Sequence, residues 1–215
     1  MFEYKKFTDP HRKGMQYWPY DNVTGRHYRN IVGGFVSAGP AEGAVVVCGL
    51  QYNWRPPAPI YLIGEARSQQ SEELILKAMD FRENYKCEEI YSYNDENFIR
   101  YLSTRNAASR DLQMGELRLS RAPNSETDNI SFHVHLLINL LSSGGKRLVL
   151  SESKNIHAAL QTLPKSEINT ASARLHPLVA ALGYAVSALE IYCGNYGFED
   201  RPKVKTDYDV ANYMP

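Results

Sequence analysis

The sequence lacks an excess of charge of either sign. It contains 24 Lys and Arg residues against 24 Asp and Glu residues, so no global electrostatic field draws the chain onto nucleic acid or an anionic membrane. A contact with nucleic acid would therefore require a local cluster of cations. The chain also lacks a long run of apolar residues and an N-terminal apolar segment of the kind found in signal peptides. These absences predict a soluble, intracellular protein.

Cysteine is scarce and carries no motif. Cys48, Cys87 and Cys193 lie far apart, without a CxxC spacing, which predicts buried free thiols in a reducing compartment and no zinc site. The sequence also has no GxSxG, and Cys48 lies in an apolar run where burial should raise the pKa of its thiol. There is thus no local signature of a serine or cysteine nucleophile.

Three apolar runs in residues 30–67 are separated by turn-forming residues. They read NIVGGFVSAG, GAVVVCGLQYN and PIYLIGEAR and predict three consecutive antiparallel strands. The unbroken run from Val45 to Val47 is typical of a strand buried on both faces. We therefore expect this meander to form the middle of a sheet that is covered on both sides.

Both ends of the chain differ in composition from the predicted domain at residues 30–194. Residues 1–29 are rich in Tyr, His, Lys and Arg without periodicity and predict an extended arm. Its Lys13, Trp18 and Arg26 are of the types that stack bases and neutralise phosphates in single-strand binders. The alternative is an arm that packs its aromatic side chains on the domain or on a neighbouring subunit. Residues 195–215 are polar and predict a C-terminal arm.

Helical spacing and short apolar runs alternate after the meander. Residues 72–87 predict a helix with Ser71 as its N-cap, EEIYSY predicts a strand, and NDENFIRYLSTRNA predicts a second helix. A strand, a helix and a strand on this spacing predict a crossover to a parallel strand. Residues 112–119 are able to supply a further strand.

Residues 130–142 fit two interpretations. Alternating apolar residues suit a strand, whereas the length of the segment and the Gly144–Gly145 pair that follows it favour a helix. On a helix, His133 and His135 point to different faces. On a strand they would share a face and make an HxH metal site conceivable.

The last elements are short until the closing helix. RLVLS predicts a strand, SKNIHAALQTL predicts an amphipathic helix, and a long apolar helix is expected from Pro177 to Gly194. The small residues Ala180, Ala181 and Gly183 would let this helix lie close to the sheet.

This order of elements resembles the ribonuclease-H-like fold, an α/β fold in which an antiparallel three-strand meander and following βα units form a mixed central sheet with helices on both faces. Within that fold the chain resembles the nuclease domain of phage terminase large subunits. The segments that carry the resemblance are IYLIGEARSQQSEELILKAMDF, EEIYSYNDENFIRYL, ISFHVHLLINLLSSGGKRLVLSESKNIHAALQTL and HPLVAALGYAVSAL. The resemblance covers residues 30–193 and implies a phage protein of the host cytoplasm or the virion.

The family's metal-binding acids are missing from this sequence. The resemblance places them on the first strand, at the end of the fourth strand and on the closing helix, where carboxylates balance two divalent cations. Here those positions fall on Gly33 or Gly34, near Tyr93, and on Ala180. The chain also lacks GxxxxGK[ST], the phosphate-binding motif of an ATPase motor. We therefore expect no cofactor and a non-catalytic binding or assembly module in DNA packaging.

Two alternatives remain open from the sequence. Glu65, Asp95 and Glu96, with His176, would form a relocated site for Mg²⁺ or Mn²⁺ if they converged, which would make the chain a divergent endonuclease. The balanced charge and the 15 tyrosines instead suit a structural phage protein that contacts other proteins. Candidate partners are DNA, phage packaging or structural proteins, and a second copy of the chain, but no membrane.

Overall fold

The computed structural model describes residues 1–8, 15–52, 58–93, 95–111, 116–142, 147–150 and 153–194. Within these residues the chain forms an eight-stranded mixed sheet and helices on both of its faces. The strands are β1 (Phe2–Thr8), β2 (Met15–Asp21), β3 (Arg26–Val36), β4 (Gly43–Gln51), β5 (Ile60–Ser68), β6 (Glu89–Ser92), β7 (Ser120–Arg121) and β8 (Leu148–Val149). The helices are α1 (Ser71–Tyr85), α2 (Glu96–Asp111), α3 (Ser131–Ser142), α4 (Lys154–Thr162) and α5 (Pro177–Gly194), with a 3₁₀ helix at Lys165–Thr170.

Several sequence predictions fall outside this description. Lys13, residues 112–115 and the predicted C-terminal arm at 195–215 are not described, nor is the side chain of Cys193. None of the helices in the described part of the chain is both long enough and apolar enough to cross a membrane.

The central strands have the predicted order and directions. β3, β4 and β5 pair as an antiparallel meander, and β6 lies parallel to β3 on the other side. β7 is parallel to β6, and β8 is parallel to β5. The meander and the parallel crossover predicted from the sequence are therefore confirmed.

Both faces of the meander are covered, as expected from the run of valines in β4. Val46 and Cys48 pack in the cluster formed with α3, α4 and α5, while Val45 and Val47 pack against α1. Cys48 and Cys87 are buried free thiols, which confirms the prediction for these two residues. Burial raises the pKa of both thiols, that of Cys87 to about 12, so neither is a reactive nucleophile at neutral pH.

The N-terminal residues differ from the predicted arm. β1 and β2 form a hairpin, and β2 continues the sheet by pairing with the first residues of β3, which begins at Arg26 and not at residue 30. Phe7 stacks on Trp18 with ring centroids 4.6 Å apart, and Tyr52 packs against both rings. The aromatic side chains therefore pack on the domain, in agreement with the alternative interpretation.

Two local predictions are corrected by side-chain contacts. Residues 116–119 do not form a strand, because the Asn106 side chain binds the backbone N–H and carbonyl of Leu117 (3.3 and 2.6 Å), and β7 follows only at Ser120. Ser71 is the first residue of α1 and not its N-cap. Its hydroxyl donates to the carbonyl of Ala38 (3.0 Å), away from the helix.

Residues 131–142 are helical, so the ambiguous segment is settled. α3 buries Val134, Leu137 and Leu140 in the same cluster as α5. A strand would place alternate side chains in solvent, whereas the helix buries one continuous face. The two histidines therefore do not form the HxH pair of a strand.

A buried ion pair joins α5 to the edge of the sheet. Arg147 donates to Glu190 Oε1 at 2.6 Å, and the two side chains are 16% and 5% exposed. The carbonyl of Arg147 also accepts a hydrogen bond from the backbone N–H of Ile60 (2.7 Å). The pair thus connects the last turns of α5 with the start of β5 and β8.

Removing one partner of this pair should destabilise the protein strongly. Arg147→Met removes the guanidinium that pairs with the buried Glu190 carboxylate, at an expected cost of about 3 to 5 kcal/mol. The double variant R147M/E190L removes both charges and should recover most of this loss. Urea unfolding of the three proteins measures the effect, and equal destabilisation by the single and double variants would contradict it.

Candidate functional site

The positions that the resemblance assigns to metal-binding acids lie around the first turns of α5. Gly34 faces this helix, and a Cβ atom built on Gly34 would overlap the carbonyl oxygen of Ala181. Ala180 is fully buried, and its backbone N–H donates to the carbonyl of His176 (2.9 Å). The backbone of α5 therefore fills the space that a side chain at residue 34 would need.

Gly33 lies on the opposite face of the sheet. A Cβ atom there would meet the side chain of Ile90 at 3.0 Å, on the side covered by α1. The sequence left open which of the two glycines occupies the first-strand position. Because only Gly34 faces α5, residue 34 is the one that shares a face with Ala180.

Tyr93 is the third of these positions and contacts an acid and a cation. Its buried hydroxyl donates to Asp95 Oδ2 (3.1 Å) and accepts from Arg174 Nε (3.4 Å). The guanidinium of Arg174 lies 4.0 Å from the same carboxylate oxygen. Burial raises the pKa of Tyr93, so the phenol stays neutral at pH 7. An Arg–carboxylate pair thus stands beside the end of β6.

Asp95 has a structural role as well. Its Oδ1 accepts the backbone N–H groups of Asn97 (3.1 Å) and Phe98 (3.2 Å), which makes Asp95 the N-cap of α2. Glu96 is the acidic residue of the first turn of that helix, where a negative charge is favourable. Both oxygens of Asp95 therefore have protein partners.

The structure does not bring Glu65 together with Asp95. In the sheet Glu65 pairs with Val46, Val46 with Gly34, and Gly34 with Tyr91. Three strand spacings, or about 14 Å, separate the outer two of these residues. The Glu65 carboxylate instead accepts hydrogen bonds from Ser153 Oγ (2.6 Å) and Asn155 Nδ2 (2.8 Å) at the start of α4.

No group of three or more His, Cys, Asp and Glu side chains within the described residues is arranged to hold a metal ion. His135 contacts the Asn169 side chain (3.1 Å), and His133 is fully buried with Nε2 2.9 Å from the Pro123 carbonyl oxygen. Each histidine therefore has its own partner on a different side of α3.

A groove of about 460 Å³ lies at the same end of the sheet, between α4 and the start of α5. Arg67, Arg174 and His176 supply its basic groups, and Glu42 supplies an acid that pairs with Arg67 (3.3 Å). Both arginines keep a large exposed fraction, 45% and 60% of the side chain. The groove therefore presents accessible cations beside the Tyr93 site.

The N-terminal candidates occupy different surroundings. Trp18 is buried in the aromatic cluster with Phe7 and Tyr52, which leaves little of its ring for a base. Arg26 is half-buried at the other end of the sheet, where its guanidinium lies over the ring of Tyr61. The two candidates do not form one surface.

Arg67 and Arg174 were not candidates from the sequence. Arg174 precedes α5 by three residues, and a cation near the N-terminus of a helix opposes the helix dipole. This unfavourable position is the one feature of the sequence that could have indicated a functional role for Arg174. Arg67 carried no local signal, because its proximity to Arg174 depends on the fold.

Adding a methyl group at residue 34 should test how tightly α5 lies against β3. Gly34→Ala forces the new Cβ into the Ala181 carbonyl. Because this backbone can give way only if α5 moves, we expect the free energy of unfolding to fall by about 3 kcal/mol or more. Gly33→Ala on the same strand is the matched control, because its Cβ would lie 3.0 Å from the Ile90 side chain and 3.4 Å from the Val46 carbonyl oxygen, a much smaller conflict that should cost clearly less. Similar urea midpoints for the two variants would contradict the close contact.

His133 should make stability depend on pH. Burial lowers the pKa of His133 from 6.5 to about 4, so between these values the unfolded chain binds a proton that the native chain excludes. Stability should therefore fall as pH falls from about 6.5 to 4, by about 3 kcal/mol at most. His133→Gln keeps a donor for Pro123 and does not titrate. Urea unfolding at several pH values gives the free energy of unfolding of both proteins. The difference in this free energy between wild type and His133→Gln should shrink as the pH falls towards 4, and a difference that is constant with pH would contradict this role.

No protein-family model matches the chain, and a search of curated proteins found no match. The function of the chain therefore has to be inferred from its fold and from the contacts of the Tyr93 site and the groove.

Proposed function

We propose that the chain is a catalytically silent relative of ribonuclease-H-like nucleases, similar to the nuclease domain of phage terminase large subunits. On this proposal it acts as a non-catalytic binding module in phage DNA packaging. The observation that carries the proposal is the contact between Gly34 and the backbone of Ala181. It lies where the related nucleases need a carboxylate.

The strand order supports the fold part of the proposal. The five strands β5, β4, β3, β6 and β7 lie side by side in that order, the first three antiparallel and the last two parallel to β3. This is the arrangement expected of a ribonuclease-H-like sheet. α5 crosses the face of β3 and β4, as the closing helix of the resembling family would.

The charges at the Tyr93 site support the loss of catalysis. Two divalent cations about 4 Å apart need several carboxylates to balance their charge. Here Asp95 is accompanied by the guanidinium of Arg174 at 4.0 Å, which would repel a metal ion. The negative charge of Asp95 is therefore balanced by the Arg174 side chain, with no need for a metal ion.

The groove beside this site supplies the proposed contact with DNA. Because the chain has no net charge, binding must come from local cations, and the exposed guanidinium groups of Arg67 and Arg174 are suited to phosphate oxygens. Such a contact would recognise the backbone and not the base sequence. Its affinity should therefore fall steeply with salt.

The decisive experiment is a plasmid cleavage assay with Mn²⁺ or Mg²⁺, combined with duplex DNA binding. We expect no cleavage, and we expect duplex binding that weakens with salt and is reduced in the double variant R67Q/R174Q, which removes both cations. Asp95→Asn is the control for the assay, since Asn caps a helix as well as Asp does but is a poorer metal ligand.

Three outcomes would overturn parts of the proposal. Metal-dependent cleavage that is lost in D95N or E65Q would instead identify a divergent nuclease with relocated ligands. Absence of duplex binding at low salt would remove DNA as the partner and favour a structural phage protein that contacts other proteins. Duplex binding equal in wild type and R67Q/R174Q would place the contact outside the groove.

A further inference from the structure

A second pocket lies at the opposite end of the sheet. It has a volume of about 570 Å³ and is enclosed by the turn between β2 and β3, by β5 and by the last turn of α1. Its walls include Phe2, Arg26, Tyr28, Tyr61, Asn84 and Tyr85. Eight residues of β3 separate Arg26 from Gly34, which corresponds to about 26 Å. The pocket is thus independent of the Tyr93 site and of the groove.

Four aromatic residues contribute to the pocket wall and pack against one another. Phe2 packs on Tyr28 and edge-on against Tyr85, with centroids 5.7 and 5.3 Å apart. Tyr61 meets Tyr28 edge-on at 6.4 Å. Gly64 lets the Tyr85 ring lie against β5, since a Cβ atom there would be 2.8 Å from the ring. Each of the four rings therefore packs against protein atoms on at least one side.

Arg26 adds a cation to this aromatic wall. Its guanidinium carbon lies 4.3 Å from the centroid of the Tyr61 ring, a cation–π contact. Burial raises the pKa of Tyr28, and the neighbouring Arg26 partly offsets this effect. Stacked on the Tyr61 ring, the guanidinium is pre-organised and loses little freedom when a ligand binds.

The carboxylate oxygens of Asp21, which also lines the pocket, are occupied by other hydrogen bonds and not by Arg26. Its Oδ1 accepts the backbone N–H of Val23 (2.9 Å) and its Oδ2 accepts the Thr24 hydroxyl (2.6 Å), so both oxygens close the turn. The amide of Asn84 and the hydroxyl of Thr24 add polar groups at the pocket wall. Phe2 and Tyr28 are themselves buried, so the surfaces open to a ligand are the half-buried rings of Tyr61 and Tyr85, the planar guanidinium of Arg26 and a few polar groups.

We propose that this pocket binds an unpaired nucleobase, presented either by single-stranded nucleic acid or by a free nucleotide. Bases stack on tyrosine rings and on guanidinium planes, and each base has an edge that polar side chains can bind. The charge of Arg26 would also attract the phosphate attached to the base. A base paired within a duplex cannot enter the pocket, so duplex DNA should not be a ligand there.

The test uses the full chain and a fluorescein-labelled single-stranded oligo(dA), with binding followed by fluorescence anisotropy. Arg26→Lys keeps the charge but loses the planar stack, and Tyr61→Leu loses the ring. We expect each to weaken binding about tenfold or more, whereas Tyr61→Phe should bind like wild type. Arg121→Lys, an exposed arginine paired with Glu126 on another part of the surface, is the matched control for Arg26→Lys.

Competition identifies the source of the base. Displacement of the oligonucleotide by adenosine monophosphate would indicate a nucleotide site, and displacement by unlabelled single strands alone would indicate a single-strand site. The proposal is overturned if wild type binds neither ligand, or if R26K and Y61L bind as wild type does. Loss of single-strand binding in R67Q/R174Q but not in R26K would also overturn it and would assign the binding to the groove.

Discussion

The close contact between α5 and β3 is the constraint on which the rest of the structure depends. A helix normally stands off a sheet by the length of the side chains between them, but at Gly34 no side chain intervenes and the backbone of Ala181 touches the strand. On its other side α5 is also close to α3, because a Cβ atom on Gly183 would lie 2.5 Å from His133 Cβ. Glycine at both contacts fixes the depth of α5 in the domain.

α5 also borders the Tyr93 site. The buried ring of Tyr93 lies 6.4 Å from the ring of Tyr184 on this helix. The remaining charge, on Asp95, is balanced by Arg174. At the other end of α5, Arg147 balances Glu190 in the same way. An ion pair thus lies near each end of α5.

Much of the fold could be predicted from local patterns, and the exceptions share a physical cause. The valine run of β4, the spacing of α1 and the Pro177 start of α5 are local signals, and each element lies where they indicate. The N-terminal hairpin was missed because it is held by distant aromatic partners such as Tyr52. A strand at 116–119 was wrong because Asn106 takes the hydrogen bonds of Leu117. The sequence also could not show which of two adjacent glycines faces α5, nor that Arg67 and Arg174 line one groove.

The Gly34 contact also limits how the sequence of this domain can vary. Any side chain at residue 34 would have to displace the backbone of Ala181 and not merely a neighbouring side chain. A single substitution at this position therefore cannot be absorbed locally, and a larger residue here would require coordinated changes in α5, whereas exposed positions on the surface of the domain can change one at a time.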